Sequence, residues 1–191
     1  MATKANVAPV ELIEIREFRF AGTATVPNNP ALPVIVMRGA LGDGASPSAV
    51  TALMEANGWG GTWVWQVFSY HHYHPNAHEA LAVASGTATL RLGGPDGETV
   101  TVSAGDVIVL PSGTGHCQVE ASAAFQICGA YPPGQEHYET VRADTPCDDA
   151  VRTRITAVPR PGTDPIYGAD GPLLSAWGKA SVGAPDADRP R

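Results

Sequence analysis

Residues 70–79 read Tyr-His-His-Tyr-His-Pro-Asn-Ala-His-Glu, which puts His71, His72, His74 and His78, four of the chain's six histidines, within eight positions. His116 follows after the turn-forming run Pro111–Gly115. On a strand, successive side chains point to opposite faces, so His72 and His74 share one face while His71 and Tyr73 share the other. Two imidazoles at i and i+2 can close on one metal ion. A carboxylate and a third imidazole from neighbouring strands would complete its shell. The competing reading is a hydrogen-bonded cluster of buried histidines, which leaves neutral imidazoles to satisfy with no ion between them. By the same alternation Gln66, Phe68 and Tyr70 fall on the side of His72 and His74 and are the candidate pocket wall. An amide, a phenyl and a phenol suit a small, partly polar organic molecule.

The elements that must position these residues are mainly β. Thr62 to His74 is dense in aromatic and β-branched residues. Leu81–Val83, Thr87–Leu92, Thr99–Val102, Val107–Leu110, Cys117–Val119 and Phe125–Cys128 read as further short strands, with Gly- and Pro-rich turns between them. Asp96-Gly97 is a hairpin signal, because glycine accepts positive φ without a Cβ clash. Strands recurring about every 8–12 residues predict an all-β sandwich or closed barrel. Residues 1–20 form an N-terminal extended segment, and Val34–Met37 a short buried strand. Ser48 to Asn57 predicts a helix: Ser48 caps, Val50, Leu53 and Met54 make a stripe, and Gly58 stops it. Residues 132–180 are irregular and proline-rich and are expected to wrap the barrel as extended chain, with a helical turn at Leu173–Trp177. The last residues, 181–191, are expected to form a disordered tail.

The spacing of the polar residues is more specific than an HxH pair. His72, one residue, His74, four residues, Glu79, six residues, Gly86 resembles the first cupin motif. Gly105, five residues, Pro111, one residue, Gly113, two residues, His116 resembles the second. The resemblance implies a cupin jelly-roll barrel over residues 21–131, with one or two short helices, and His72, His74, Glu79 and His116 as metal ligands. Thr25–Pro30, Asn57–Gly61, Tyr70–His74, Gly129–Pro132 and Asp170–Leu174 are similar to the YjlB-like bacterial cupins, an uncharacterised group, over roughly residues 20–178. Two positions depart from the general cupin pattern: Gln66 stands in place of a glycine and Glu120 in place of an asparagine, neither of them a ligand.

A site of three histidines and one glutamate suits one divalent transition metal, Fe, Mn, Ni, Co or Zn. Open positions on a six-coordinate ion leave room for a substrate and dioxygen to meet. The expected function is therefore that of a metal-dependent enzyme, an oxidoreductase of the dioxygenase type acting on a small organic molecule. The alternatives are a non-catalytic small-ligand-binding cupin with a structural metal, and a metal-dependent isomerase or epimerase. A net charge of −7, with no basic cluster, argues against nucleic acid and anionic membrane surfaces. No apolar run reaches the roughly 18 residues of a membrane helix. Cys117, Cys128 and Cys147 are an odd, unpatterned set and predict reduced thiols and a cytoplasmic location. Trp63, Trp65 and His71 alternate away from the expected pocket, and that aromatic face predicts a homodimer.

Overall fold

Two uninterrupted apolar runs, Val34–Met37 and Val107–Leu110, mark strands covered on both faces. The computed structural model, which describes residues 5–42 and 44–178, shows what covers them. One sheet has six strands in the order β1 (Glu14–Phe18), β2 (Val34–Arg38), β8 (Val107–Leu110), β5 (Glu79–Ser85), β10 (Gln126–Tyr131) and β3 (Gly60–Trp65). The second has five, in the order β11 (Val141–Arg142), β4 (His72–Tyr73), β9 (His116–Ala121), β6 (Thr87–Leu92) and β7 (Glu98–Ser103). Every pairing is antiparallel. This is an all-β jelly roll.

The two cores explain the two-sided strands. Val34, Val36, Ile108 and Leu110 pack between the sheets with Leu81, Val83, Leu90 and Leu92. Their alternates Ile35, Met37, Val107 and Val109 belong to a second cluster with Val50 and Met54 of α1 (Pro47–Ala56) and Leu173 and Trp177 of α3 (Pro172–Trp177). The outer face of the larger sheet's central strands is thus covered by this chain's own helices. Trp177 is pinned there by its indole N–H, which donates to the Pro33 carbonyl at 2.9 Å.

Several expectations change in detail. α1 is capped by Ser46, not Ser48: its hydroxyl accepts from the Ala49 N–H at 3.3 Å. Pro47 lacks an N–H and has a φ suited to the first helical turn, so the cap falls before it. The segment after Tyr131 is not simply extended chain. It carries α2 (Asp149–Ala157), a third helix, started by the Asp148 carboxylate accepting from the Val151 N–H at 2.9 Å. The strand expected over Thr62–His74 breaks after Trp65 and resumes only at His72. The tail expected at 181–191, like the first four residues of the N-terminal segment, lies outside the described residues. Among the described residues no helix is long and apolar enough to cross a membrane.

Candidate metal centre

His72 and His116 are direct cross-strand partners on β4 and β9. Their rings approach to 4.1 Å between centroids, and each lies 5.5 Å from the ring of His74, just past the end of β4. The Pro111–Gly115 turn is tied to this strand by the Gly113 N–H, which donates to the His74 carbonyl at 2.8 Å. Gly113 has φ +84 and sits against Ile155, so a side chain there would be strained and crowded. Glu79 enters from the other sheet, at the first position of β5, and all four side chains are buried.

The tautomers follow from the partners. His72 Nδ1 lies 3.1 Å from the Tyr70 carbonyl, His74 Nδ1 2.7 Å from the Glu139 carbonyl, and His116 Nδ1 2.9 Å from the Thr114 carbonyl. A carbonyl oxygen can only accept, so each Nδ1 donates and the free lone pair of each neutral ring is on Nε2. One ring nitrogen from each histidine falls within 4.8 Å of the other two, a cluster that could hold a metal ion. Backbone carbonyls that fix the far side of a ligating imidazole are the usual support of such sites.

Glu79 is held by a different device. Its Oε1 accepts from the Tyr131 hydroxyl at 2.8 Å, and that hydroxyl accepts from the Trp63 indole N–H at 2.9 Å. Its Oε2 lies 3.3 Å from His74 Nε2 and 3.2 Å from His116 Nε2. Even so, His74 Nε2 and Glu79 Oε2 are buried with no hydrogen-bond partner of acceptable geometry. Orphaned atoms facing one another across a histidine cluster fit a cation between them.

Charge effects favour a positive charge beside Glu79. Burial, with His116 and His74 alongside, pushes His72 down to about 2. Burial also works against charge on His74 and on Glu79, but their mutual attraction outweighs it, raising His74 and holding Glu79 well below the usual carboxylate range. Burial and the Glu79 charge push the Tyr131 phenol upward, so it stays a donor.

The site opens into a cavity of about 390 Å³ lined by Trp63, Trp65, Phe68, Tyr131 and Tyr138 among others. Gln66 and Phe68 line it; Tyr70 does not, its ring instead stacking on Phe68 at 4.9 Å and carrying the Arg142 guanidinium at 4.0 Å. The expectation that Trp63 and Trp65 face away from the pocket is corrected, since both line it. Alternation fails because β3 ends at Trp65 and the chain to His72 is irregular. Trp63 lies flat over Gly129, where any Cβ would collide with the indole. His71 does face away, its Nε2 3.5 Å from Cys117 Sγ, and His78 Nδ1 accepts from the Ser112 N–H at 2.8 Å. Tyr131, Trp63 and Tyr138 also belong to the site, and no motif or spacing in the sequence points to them.

The cupin domain profile matches residues 65–124, which hold all four of these polar residues. The uncharacterized protein YjlB of Bacillus subtilis (strain 168) is 35% identical over 166 residues, covering 87% of this chain and 98% of that one. The chain is a YjlB-like cupin. Among solved structures, this cupin is similar to a tryptophan-to-phenylalanine variant of oxalate decarboxylase from B. subtilis, with 22% identity and a TM-score of 0.33 over 58% of this chain and 22% of that one. Acireductone dioxygenase from Bacillus anthracis, with a cadmium ion in its active centre, gives 18% identity and a TM-score of 0.32 over 44% and 56%. The cupin thus spans about a fifth and just over half of those two chains, and likenesses this distant say nothing of its reaction.

Proposed function

We propose that this cupin is a metal-dependent enzyme in which His72, His74, His116 and Glu79 hold one divalent transition metal, and that it oxygenates a small organic molecule. The observation that carries the metal is the orientation of the three imidazoles. Each has Nδ1–H committed to a backbone carbonyl, which leaves the Nε2 lone pair free to bind a metal. Such a donor set suits Fe, Mn, Ni, Co or Zn. When bound, the metal would supply Lewis acidity and, for iron, manganese or nickel, redox chemistry at its open positions.

The chain's own groups supply the rest. Tyr131 fixes the Glu79 carboxylate through Oε1 and leaves Oε2 toward His74 and His116. Trp63, Phe68 and Tyr138 line the approach to the reacting end. Among the described residues lining the cavity, Glu79 is the single carboxylate, and it is engaged with the histidines. Isomerisation would need a general base beyond this engaged carboxylate. The test is dioxygen uptake by the Fe(II)-loaded protein with phenols, diketones and thiols, beside sugars. Uptake with one of the first three supports the reading; turnover of a sugar without dioxygen uptake overturns it.

A further inference from the structure

The cavity has a division of labour that narrows its ligand. His72, His74, His116 and Glu79 stand together in its lining, with the Tyr131 hydroxyl bonded to Glu79. The remainder is largely aromatic. Tyr138 stacks on Tyr131 at 4.0 Å, and Phe68 meets Trp65 edge-on at 6.3 Å and His72 edge-on at 5.1 Å. Trp65 is 67% exposed and Phe68 38% exposed, large apolar rings held open at the site's mouth. Among the described residues no lysine or arginine lines the cavity. The nearby arginines are committed elsewhere: Arg142 to the Tyr70 ring and Asp144, and Arg154 to Glu139.

Charge counting then limits the charge the ligand brings. Three neutral imidazoles, one carboxylate and a divalent ion sum to a single positive charge. A ligand that brings one negative charge neutralises the site. A dianion would leave an excess negative charge in an apolar cavity with no cation to meet it, which is costly. Volume sets the other bound: about 390 Å³ is at the small end of ligand pockets and holds a molecule of one or two rings.

We propose that the cavity takes a planar, one- or two-ring molecule with a single ionisable hydroxyl, a phenol or a cyclic enol. Its oxygen lies at the histidine end and its ring along Phe68, Trp65 and Tyr138. Doubly charged dicarboxylates and phosphorylated sugars are disfavoured by the same charge argument. The inference rests on the metal reading for its charge count, while the ring contacts do not depend on the ion.

Calorimetric titration separates the two. Zn(II)-loaded protein, its metal content measured on the same sample, is titrated with 2-naphthol, 4-nitrophenol and oxalate, and the chelator-treated protein with 2-naphthol. The aromatic hydroxyls should bind about tenfold or more tighter than oxalate, a difference of about 1.4 kcal/mol. Phe68→Ala and Trp65→Ala, at partly exposed positions, should each weaken 2-naphthol by about fivefold with metal content unchanged. A protein that takes up no zinc refutes the metal reading, yet should still bind 2-naphthol weakly through its ring. Oxalate binding as tightly as the aromatics, or no 2-naphthol binding in either form, overturns the inference.

Discussion

The Tyr131 hydroxyl donates to Glu79 Oε1 at 2.8 Å, and so decides which carboxylate oxygen is left for the histidines. Ala130 of β10 pairs with Ala80 of β5, so the residues that follow and precede them, Tyr131 and Glu79, meet side by side. Trp63, on the other neighbour of β10, locks the hydroxyl from behind at 2.9 Å. A carboxylate gripped on one oxygen offers the other at a fixed place.

Tyr131→Phe keeps the ring and removes the grip. Metal affinity, read by competition with a chelator, should fall by about 10–100-fold. The visible spectrum of the Co(II)-loaded protein should shift as the carboxylate is released. Stability should fall by about 1–3 kcal/mol, because Glu79 Oε1 and the Trp63 N–H lose their partner in a buried setting. Unchanged affinity and spectrum would mean that Tyr131 only packs.

His78 gives the protein an acid-sensitive limb of its own. Burial, with the Arg160 charge adding to it, pushes this ring down to about 3 from 6.5, against a partial offset from the Pro159 carbonyl. The folded protein therefore keeps His78 neutral where the unfolded chain binds a proton. Its contribution is complete above the unfolded value and is lost as pH falls from there toward the folded one. Between neutral pH and about pH 5 the loss is about 2 kcal/mol. Urea unfolding of chelator-treated wild type and His78→Asn should give curves that converge over that interval. Parallel curves would refute this account.

Asp164 ties the C-terminal segment down. Fully buried, its carboxylate accepts from the N–H groups of Ile166 at 2.8 Å, Tyr167 at 3.0 Å and Leu173 at 3.0 Å. Asp164→Ala strands three buried donors and should cost about 3–5 kcal/mol, seen as a lowered denaturation midpoint. A loss below about 1 kcal/mol would show that α3 docks by its apolar face alone.

The sequence announced some of this and hid the rest for definable reasons. β6 and β8 lie where their patterns predict, because each is regular from end to end and flanked by turn glycines. The four polar residues were legible because two short motifs hold them. α2 was not, since Val151, Thr153, Ile155 and Thr156 are β-branched and Ile155 is its single buried residue, leaving no apolar stripe to read. Alternation puts Trp63 on the wrong face because it holds only while a strand lasts, and β3 ends at Trp65. Tyr131 stands 52 positions from Glu79 and becomes visible only once β5 and β10 are known to be neighbours.

The central claim is a metal held by His72, His74 and His116 with Glu79. Its most direct test is elemental analysis of tag-free protein grown with iron, manganese, nickel, cobalt and zinc all supplied. Wild type and His71→Ala, whose ring lies on the opposite face beside Cys117, should each carry close to one transition metal ion per chain. His72→Ala should carry almost none. Equal metal in wild type and His72→Ala would contradict the account.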